Sequence, residues 1–200
     1  QSRYSAAIKE IQTKLEILDD EFQMRHRRNP IHHMQSRLKT IQSMLEKLKR
    51  KNYEVSINSA VKNLQDIAGI RVICSYVQDV YTIANLLVSQ DDVHLVRMAD
   101  YIREPKPNGY RSLHLIVEIP VFLSEGRILV PVEVQIRTIA MDFWASLEHS
   151  LRYKAQEYIP QHISDELQRV ATDIASLDQR MQAIHDQVDE LSDARSDNAT

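Results

Sequence analysis

Three polar side chains alternate with apolar ones in the run VPVEVQIR, residues 130–137. Because successive side chains of a strand point to opposite faces, Glu133, Gln135 and Arg137 would share one face. Carboxylates can hold Mg²⁺ and guanidinium groups can hold phosphates, so this face could serve chemistry on phosphate esters. Taken alone, the pattern is also typical of an ordinary solvated sheet face.

A second run favours the first interpretation. In SLHLIVEIP, residues 112–120, His114 and Glu118 lie between apolar residues in the same alternating way. Two polar strand faces side by side would form the floor of a cleft. Directly upstream, KPNGYRS (106–112) contains one of only three glycines in the chain.

Asp66 opens the segment DIAGIR, just before a predicted strand. A single Asp before a glycine-containing turn is usually a turn or helix-end residue. Paired with Glu133 it acquires another interpretation, since Mg²⁺ is typically held by one or two carboxylates together with substrate phosphates. The two carboxylates are therefore a candidate magnesium site.

The segment SRLKTIQSMLEKLKRK, residues 36–51, is strongly basic. Ser43, Lys47 and Arg50 are spaced i, i+4 and i+7, which places them on one helical face. Arg37 and Lys39 come immediately before them. The segment is either a solvated basic helix or a cradle for a triphosphate.

The elements that would position these residues form a mixed α and β pattern. Strands are predicted at 70–76, 93–101, 112–120 and 128–137, with a turn at Gly126, and helices at 80–88 and 138–153. Strands flanked by helices indicate an α/β or α+β fold. We expect one domain over residues 1–200, with a core at about 30–155.

The two ends carry helical apolar stripes. Ile8, Ile11, Leu15, Leu18 and Phe22 recur at steps of three and four in the first. The C-terminal stripe keeps the same alternation through Ile163, Leu167, Val170, Ile174, Leu177, Met181, Ile184, Val188 and Leu191. Such a stripe packs either on the chain's own core or on a partner helix. We expect residues 3–24 and 161–192 to be oligomerisation elements of a homo-oligomer, with dimer and tetramer open and tetramer favoured.

Composition narrows the class of protein. The chain is 43% hydrophobic and 26% charged with a net charge of −3, which argues against general disorder and against wrapping around nucleic acid. A single cysteine, Cys74, excludes an internal disulfide and fits a reducing cytoplasm. No apolar run approaches the roughly 20 residues that span a bilayer, so we expect a cytoplasmic protein without a membrane partner. Zinc-ligand spacings are absent from the sequence.

Three motifs in order resemble the synthetase domain of the RelA/SpoT group: DIAGIRV, DYIREPKPNGYRSLH, and VEVQIRT followed by DFWASLEH. The chain length and helical ends resemble its small alarmone synthetases, closer to the RelP type. The resemblance implies transfer of diphosphate from ATP to the 3′-hydroxyl of GTP or GDP. It also implies a nucleotidyltransferase-like mixed sheet of about five strands flanked by helices.

The resemblance also implies site residues. Asp66 and Glu133 would bind Mg²⁺ and serve catalysis. The ATP site would be formed by Arg37, Lys39, Ser43, Lys47, Arg50 and Arg71. The GTP or GDP site would be formed by Lys106, Tyr110, His114 and Gln135. A loop bent by Pro107 and Gly109 would bring Lys106 to a phosphate and the Tyr110 ring to a base.

Departures from the family pattern limit these expectations. The chain has no room for the hydrolase domain of the long relatives, so no hydrolase activity is expected. His33 and Gln35 stand where product-activated relatives are expected to have an aromatic residue and a threonine, which argues against product activation. An RNA-binding module is the alternative function, and a coiled-coil scaffold is a further one; neither explains why Glu133 and Gln135 share a face.

Overall fold

The structure is a computed structural model that describes residues 2–155 and 159–197, the last six of these by backbone alone. In chain order its elements are α1 (Ser2–His26), β1 (Ile31–Leu38), α2 (Ile41–Arg50), α3 (Ile57–Asn63), β2 (Ala68–Cys74), α4 (Val77–Val88), β3 (His94–Asp100), β4 (Leu113–Leu123), β5 (Gly126–Thr138), α5 (Ile139–Lys154) and α6 (Gln161–Asp197).

One five-stranded sheet has the order β1-β2-β5-β4-β3. Strands β2 and β5 are parallel, and the other neighbouring pairs are antiparallel. The mixed α/β fold with a five-stranded sheet is therefore confirmed. The parallel pair lies inside the sheet, and every residue of β2 except Arg71 is buried, as is typical of a strand covered on both faces.

The main core lies on one face of this sheet. Val132, Val134 and Ile136 of β5 are fully buried there, as the alternation in VPVEVQIR predicts. Helices α1 and α4 cover this face with residues that include Ile11 and Ile83. The polar members of the alternation consequently point to the opposite face of the sheet.

Helix α1 packs on the chain's own sheet. Ile8, Ile11, Leu15 and Leu18 are buried, and α1 contacts β2, β4 and β5. The structure therefore shows the first alternative for this stripe, packing on the chain's own core. That residues 3–24 also take part in oligomerisation stays a prediction. Such a contact would have to use side chains of α1 that are not buried in the core.

Helix α6 is different, because the C-terminal stripe that it carries, which we call the α6 stripe, is largely exposed. It begins at Gln161 and runs for 37 residues, about 55 Å at 1.5 Å per residue, which exceeds the roughly 40 Å indicated by the stripe. Leu177 and Met181 are 52% and 51% exposed, whereas Ala171 and Asp178, which share an adjacent face of the helix, are buried. The same helix thus has one face packed on the protein and one apolar face open.

Strand β1 and helix α3 have no counterpart in the sequence prediction. Strand β1 is an edge strand whose side chains are mostly exposed, so the alternation that identifies half-buried strands is missing. Helix α3 has only seven residues and is capped by Ser56. In the described part of the chain, no helix is long and apolar enough to cross a membrane.

Candidate active site

Sheet register brings the candidate residues together. On one row Gln35, Arg71, Gln135 and His114 are consecutive cross-strand partners on β1, β2, β5 and β4. On the next row, Gly69 lies between Arg37 and Glu133. Residues that are up to 100 positions apart in sequence therefore share the face opposite the main core.

A cleft of about 1020 Å³ opens on this face. All the predicted site residues except Asp66 and His114 line it, and these two contact residues that do. The lining consists of Gln35, Arg37, Lys39, Ser43, Glu46, Lys47, Arg50, Gly69, Ile70, Arg71, Lys106, Tyr110, Glu133, Gln135, Arg137, Ala145, Ser146, Glu148 and His149. The predicted basic face of α2 thus borders the same cleft as the polar face of β5.

Asp66 lies between two lysines at one wall of the cleft. Its Oδ2 atom is 2.8 Å from Lys39 Nζ and 2.5 Å from Lys47 Nζ. Burial alone would raise the pKa of Asp66, but the two lysines outweigh it and hold the pKa below its ordinary value. The backbone N–H of Lys39 donates to Ile67 O at 2.8 Å, which anchors this lysine beside the carboxylate.

Glu133 is the second carboxylate. Its Oε2 accepts a hydrogen bond from Gln135 at 3.0 Å, and its Oε1 is 3.6 Å from His114 Nδ1. Burial and the nearby charge of Asp66 raise the pKa of Glu133, whereas His114 and Gln135 lower it, and the net pKa lies below the ordinary value. Glu133 lines the cleft directly, and Asp66 contacts Lys39 and Lys47, which also line it, so the two carboxylates border the same cavity.

These carboxylates fit a divalent cation. Asp66 Oδ1 is buried without a hydrogen-bond partner, and an orphaned carboxylate oxygen is a hard ligand of the kind that Mg²⁺ prefers. Among the described residues there is no group of three or more His, Cys, Asp or Glu side chains able to hold a metal by themselves. Any cation here would complete its coordination with water or with a bound phosphate.

An aromatic cluster forms another part of the cleft wall, which it reaches through Tyr110. The Tyr110 hydroxyl and His114 Nε2 are hydrogen-bonded at 2.8 Å, and Tyr101 packs edge-on against both rings. Lys106 Nζ lies 4.6 Å from the Tyr101 ring centroid and 4.9 Å from that of Tyr110, within the range of cation–π attraction. Burial raises the pKa of Tyr110, so this hydroxyl stays protonated.

Gly109 is required by both its backbone and its surroundings. Its φ of +90° is unfavourable for residues with a Cβ atom, and a Cβ here would lie 2.6 Å from Ala171 Cβ on α6. The tip of the 106–112 loop is thus seated directly against the C-terminal helix. Helices α5 and α6 are themselves joined there by the Trp144 indole N–H, which donates to Leu167 O at 2.9 Å.

The sequence assigned no role to several residues of this region. Arg137 was placed on the polar face by alternation, but its burial to 2% exposure was not foreseen. Its Nε is 3.4 Å from Asp142 Oδ1, and its guanidinium carbon is 5.8 Å from the Tyr110 ring centroid. Burial, with a contribution from nearby Arg71, lowers the pKa of Arg137. Tyr101 and Glu148 lie within the motifs DYIREPKPNGYRSLH and DFWASLEH, but the sequence assigned neither of them a role.

The fold and the cleft define a class: a mixed α/β protein whose sheet presents an acidic pair among basic and aromatic side chains. Residues 36–158 match the model of a family described as the region found in RelA / SpoT proteins. The chain belongs to the RelA/SpoT family. The resemblance seen in the three motifs is thereby confirmed.

Similarity extends over nearly the whole chain. GTP pyrophosphokinase YwaC of Bacillus subtilis is 45% identical over 93% of this chain and 89% of its own. Small alarmone synthetase 2 of B. subtilis matches with a TM-score of 0.83 and 43% identity over 92% of this chain and 96% of that one. Small alarmone synthetase 1, in a structure bound to its product pppGpp, matches with a TM-score of 0.85 and 37% identity over 93% and 94% of the two chains.

Proposed function

We propose that this protein is a GTP diphosphokinase that transfers the β,γ-diphosphate of ATP to the 3′-hydroxyl of GTP or GDP, with AMP as the second product. The observation that carries the proposal is that Glu133 lines, and Asp66 lies beside, a cleft that is also lined by basic side chains and by Tyr110. Near full-length similarity to GTP pyrophosphokinases supports it.

The basic wall would take ATP. Ser43, Lys47 and Arg50 line the cleft from α2, close to Lys39, and can neutralise a triphosphate. Arg37 and Arg71, on the adjacent strands β1 and β2, would hold the adenine between their planar guanidinium groups.

The aromatic wall would take the guanine nucleotide. Tyr110 would stack on the base and Lys106 would pair with a phosphate, while His114 and Gln135, direct cross-strand partners, would hold the remaining polar groups. Lys106 lies over the Tyr110 ring in the structure, so its ammonium would move toward phosphate when a base stacks there. This arrangement gives both nucleotides access to the carboxylate pair.

The chain supplies most of what the transfer requires. Attack of the 3′-oxygen on the β-phosphorus needs alignment of the two nucleotides, charge neutralisation and removal of one proton. Magnesium held by Asp66 and Glu133 would supply charge neutralisation at the transferred group. Glu133, whose lowered pKa keeps it ionised at neutral pH, can accept the proton or orient the hydroxyl.

The direct test uses ATP labelled on its β-phosphate, with GTP or GDP as acceptor, and separates the products by thin-layer chromatography. We expect label in pppGpp or ppGpp and an equal amount of AMP. Glu133→Gln should lower kcat by at least about 100-fold, as for loss of a general base. A Glu133→Gln enzyme that releases AMP at nearly the parental rate would eliminate both roles assigned to Glu133.

We also propose that the protein acts as a homo-oligomer, with a tetramer as the favoured state, in the cytoplasm. The exposed apolar residues of the α6 stripe support a homo-oligomer. The single cysteine, Cys74, is a buried free thiol, which supports a reducing cytoplasm.

A further inference from the structure

Asn108 connects the 106–112 loop to helix α5. Its Nδ2 donates to Glu148 Oε1 at 3.2 Å, and its Oδ1 accepts the backbone N–H of Tyr110 at 3.2 Å. One amide therefore makes a long-range contact at one end and holds the Tyr110 backbone at the other. Two backbone bonds between Lys106 and the tip of the loop complete the turn.

Glu148 determines which way this amide points. It is 8% exposed and also accepts a hydrogen bond from Arg152 one turn later on α5. A carboxylate paired with arginine can only accept hydrogen bonds, so it must face the NH₂ end of the Asn108 amide. The carbonyl end is then turned toward the Tyr110 N–H.

The position of the Tyr110 ring follows from this arrangement. The backbone of Tyr110 is held through Asn108, and its hydroxyl is held by His114 at 2.8 Å. We infer that Glu148, acting through Asn108, is a positioning residue that places Tyr110 for the guanine nucleotide and has no part in ATP binding. This inference rests on the proposed function, in which Tyr110 stacks on the acceptor base.

Two other roles for Glu148 lead to different expectations. Because Glu148 lines the cleft, it could contact a nucleotide directly, and then its charge would matter. As the partner of Arg152 at i,i+4, it could instead only stabilise α5, and then its loss would be equivalent to the loss of Arg152. A positioning role requires an acceptor atom facing Asn108, whether or not that atom is charged.

Steady-state kinetics distinguish these roles when each nucleotide is varied at a saturating concentration of the other. Glu148→Ala should raise the KM for GTP or GDP about tenfold, the effect of losing one hydrogen bond to a charged group, and leave the KM for ATP unchanged. Glu148→Gln retains an acceptor oxygen for Asn108, so its acceptor KM should stay within about threefold of the parental value. Arg152→Ala, the control for the ion pair alone, should match the parent.

A compensating pair of substitutions provides a test whose expected result a change in stability alone would not produce. Asn108→Asp keeps an acceptor for the Tyr110 N–H but places a second carboxylate against Glu148, so the acceptor KM should rise. Adding Glu148→Gln supplies an amide donor toward Asp at position 108 and should return the acceptor KM toward the parental value. Thermal unfolding of every variant identifies any that fail to fold. If Glu148→Ala does not fold, the inference is tested by Asn108→Asp with and without Glu148→Gln.

The possible results separate the inference from the proposed function. A parental protein that forms no pppGpp or ppGpp overturns both. An active parent combined with an unchanged acceptor KM in folded Glu148→Ala overturns the inference alone. Equal acceptor defects in Glu148→Gln and Glu148→Ala, without compensation in the double variant, would show a direct contact between Glu148 and nucleotide and would also overturn it.

Discussion

Two buried aspartates of this protein have pKa values shifted in opposite directions. Burial raises the pKa of both, but Asp66 has ion pairs with Lys39 and Lys47 that reverse the effect, whereas Asp178 does not. Asp178 accepts a hydrogen bond from Thr138 Oγ1 at 2.5 Å and feels the charge of Arg111, and its pKa remains above the ordinary value. The two lysines thus outweigh desolvation at Asp66, whereas the hydrogen bond from Thr138 and the charge of Arg111 do not outweigh it at Asp178.

The raised pKa of Asp178 predicts a dependence of stability on pH. A carboxyl group that binds its proton more tightly in the folded state contributes stability that is complete below its ordinary pKa of 3.8 and is lost as the pH rises through the folded-state pKa. Asp178→Asn lacks this titration and can still accept from Thr138. Its melting temperature relative to the parent should therefore increase between about pH 4 and pH 7, by a few degrees.

Thermal scans at several pH values check this expectation. Asp173→Asn, an exposed position on the same helix, controls for the removal of one negative charge from α6 and should follow the parental pH profile. A difference between Asp178→Asn and the parent that is constant across this pH range would contradict the titration.

Contacts between elements explain which parts of the site were predictable. The alternation in β4 and β5 is enough to predict that Glu133, Gln135 and His114 lie on polar strand faces, because strand periodicity is a local property. The resemblance to the family motifs then supplied roles for the basic residues. Strand β1 was missed because its exposed edge leaves no alternation, although it carries Arg37.

The contacts of Asn108 and Gly109 could not be predicted in the same way. Asn108 is 40 residues from Glu148, and the Cβ position of Gly109 is filled by Ala171. Periodicity within one segment contains no information about which distant segment packs on it. The sequence identifies the glycine in KPNGYRS as a turn former. Only the structure shows that Ala171 of α6 leaves no space for a Cβ atom at this position.

The close packing of Gly109 against Ala171 predicts a difference between two glycine substitutions. Gly126→Ala meets only backbone strain, since its φ is +119° and no atom lies within 4 Å of the added Cβ; about 1–2 kcal/mol of unfolding free energy should be lost. Gly109→Ala adds the overlap with Ala171, so it should lose about 1–3 kcal/mol more. Its KM for the guanine nucleotide should rise as well.

Urea unfolding measures the first quantity and steady-state kinetics the second. Gly126→Ala serves as the control for backbone strain, because Gly126 begins β5 directly after the β4–β5 turn and does not line the cleft. Equal losses of stability in the two variants would refute a close seat between the 106–112 loop and α6.

For the molecule as a whole, the open face of α6 is an apolar surface without a covering element in the described residues. Exposed side chains of the α6 stripe include Ile163, Leu177, Met181, Ile184 and Leu191. An apolar stripe at heptad spacing is typical of a helix that packs on a partner helix. The proposed homo-oligomer would bury it.

A charge within this stripe should therefore disrupt assembly. We expect multi-angle light scattering to give the parent a mass that is a multiple of 23.3 kDa, with four as the favoured multiple, and Leu177→Asp to shift it to smaller species. Ser176→Asp places the same charge on a neighbouring exposed position outside the stripe and should leave the mass unchanged. A monomeric parent, or equal effects of the two variants, would rule out assembly through this stripe.

Two adjacent faces of helix α6 have different roles. One side supports the tip of the 106–112 loop through Ala171 and receives the Thr138 hydroxyl at Asp178, while the other carries the apolar residues proposed to meet a second subunit. A rigid rod cannot shift on one side alone. If the proposed homo-oligomer forms, its dissociation on dilution should therefore weaken binding of the guanine nucleotide, and the specific activity should decrease as the protein concentration is lowered.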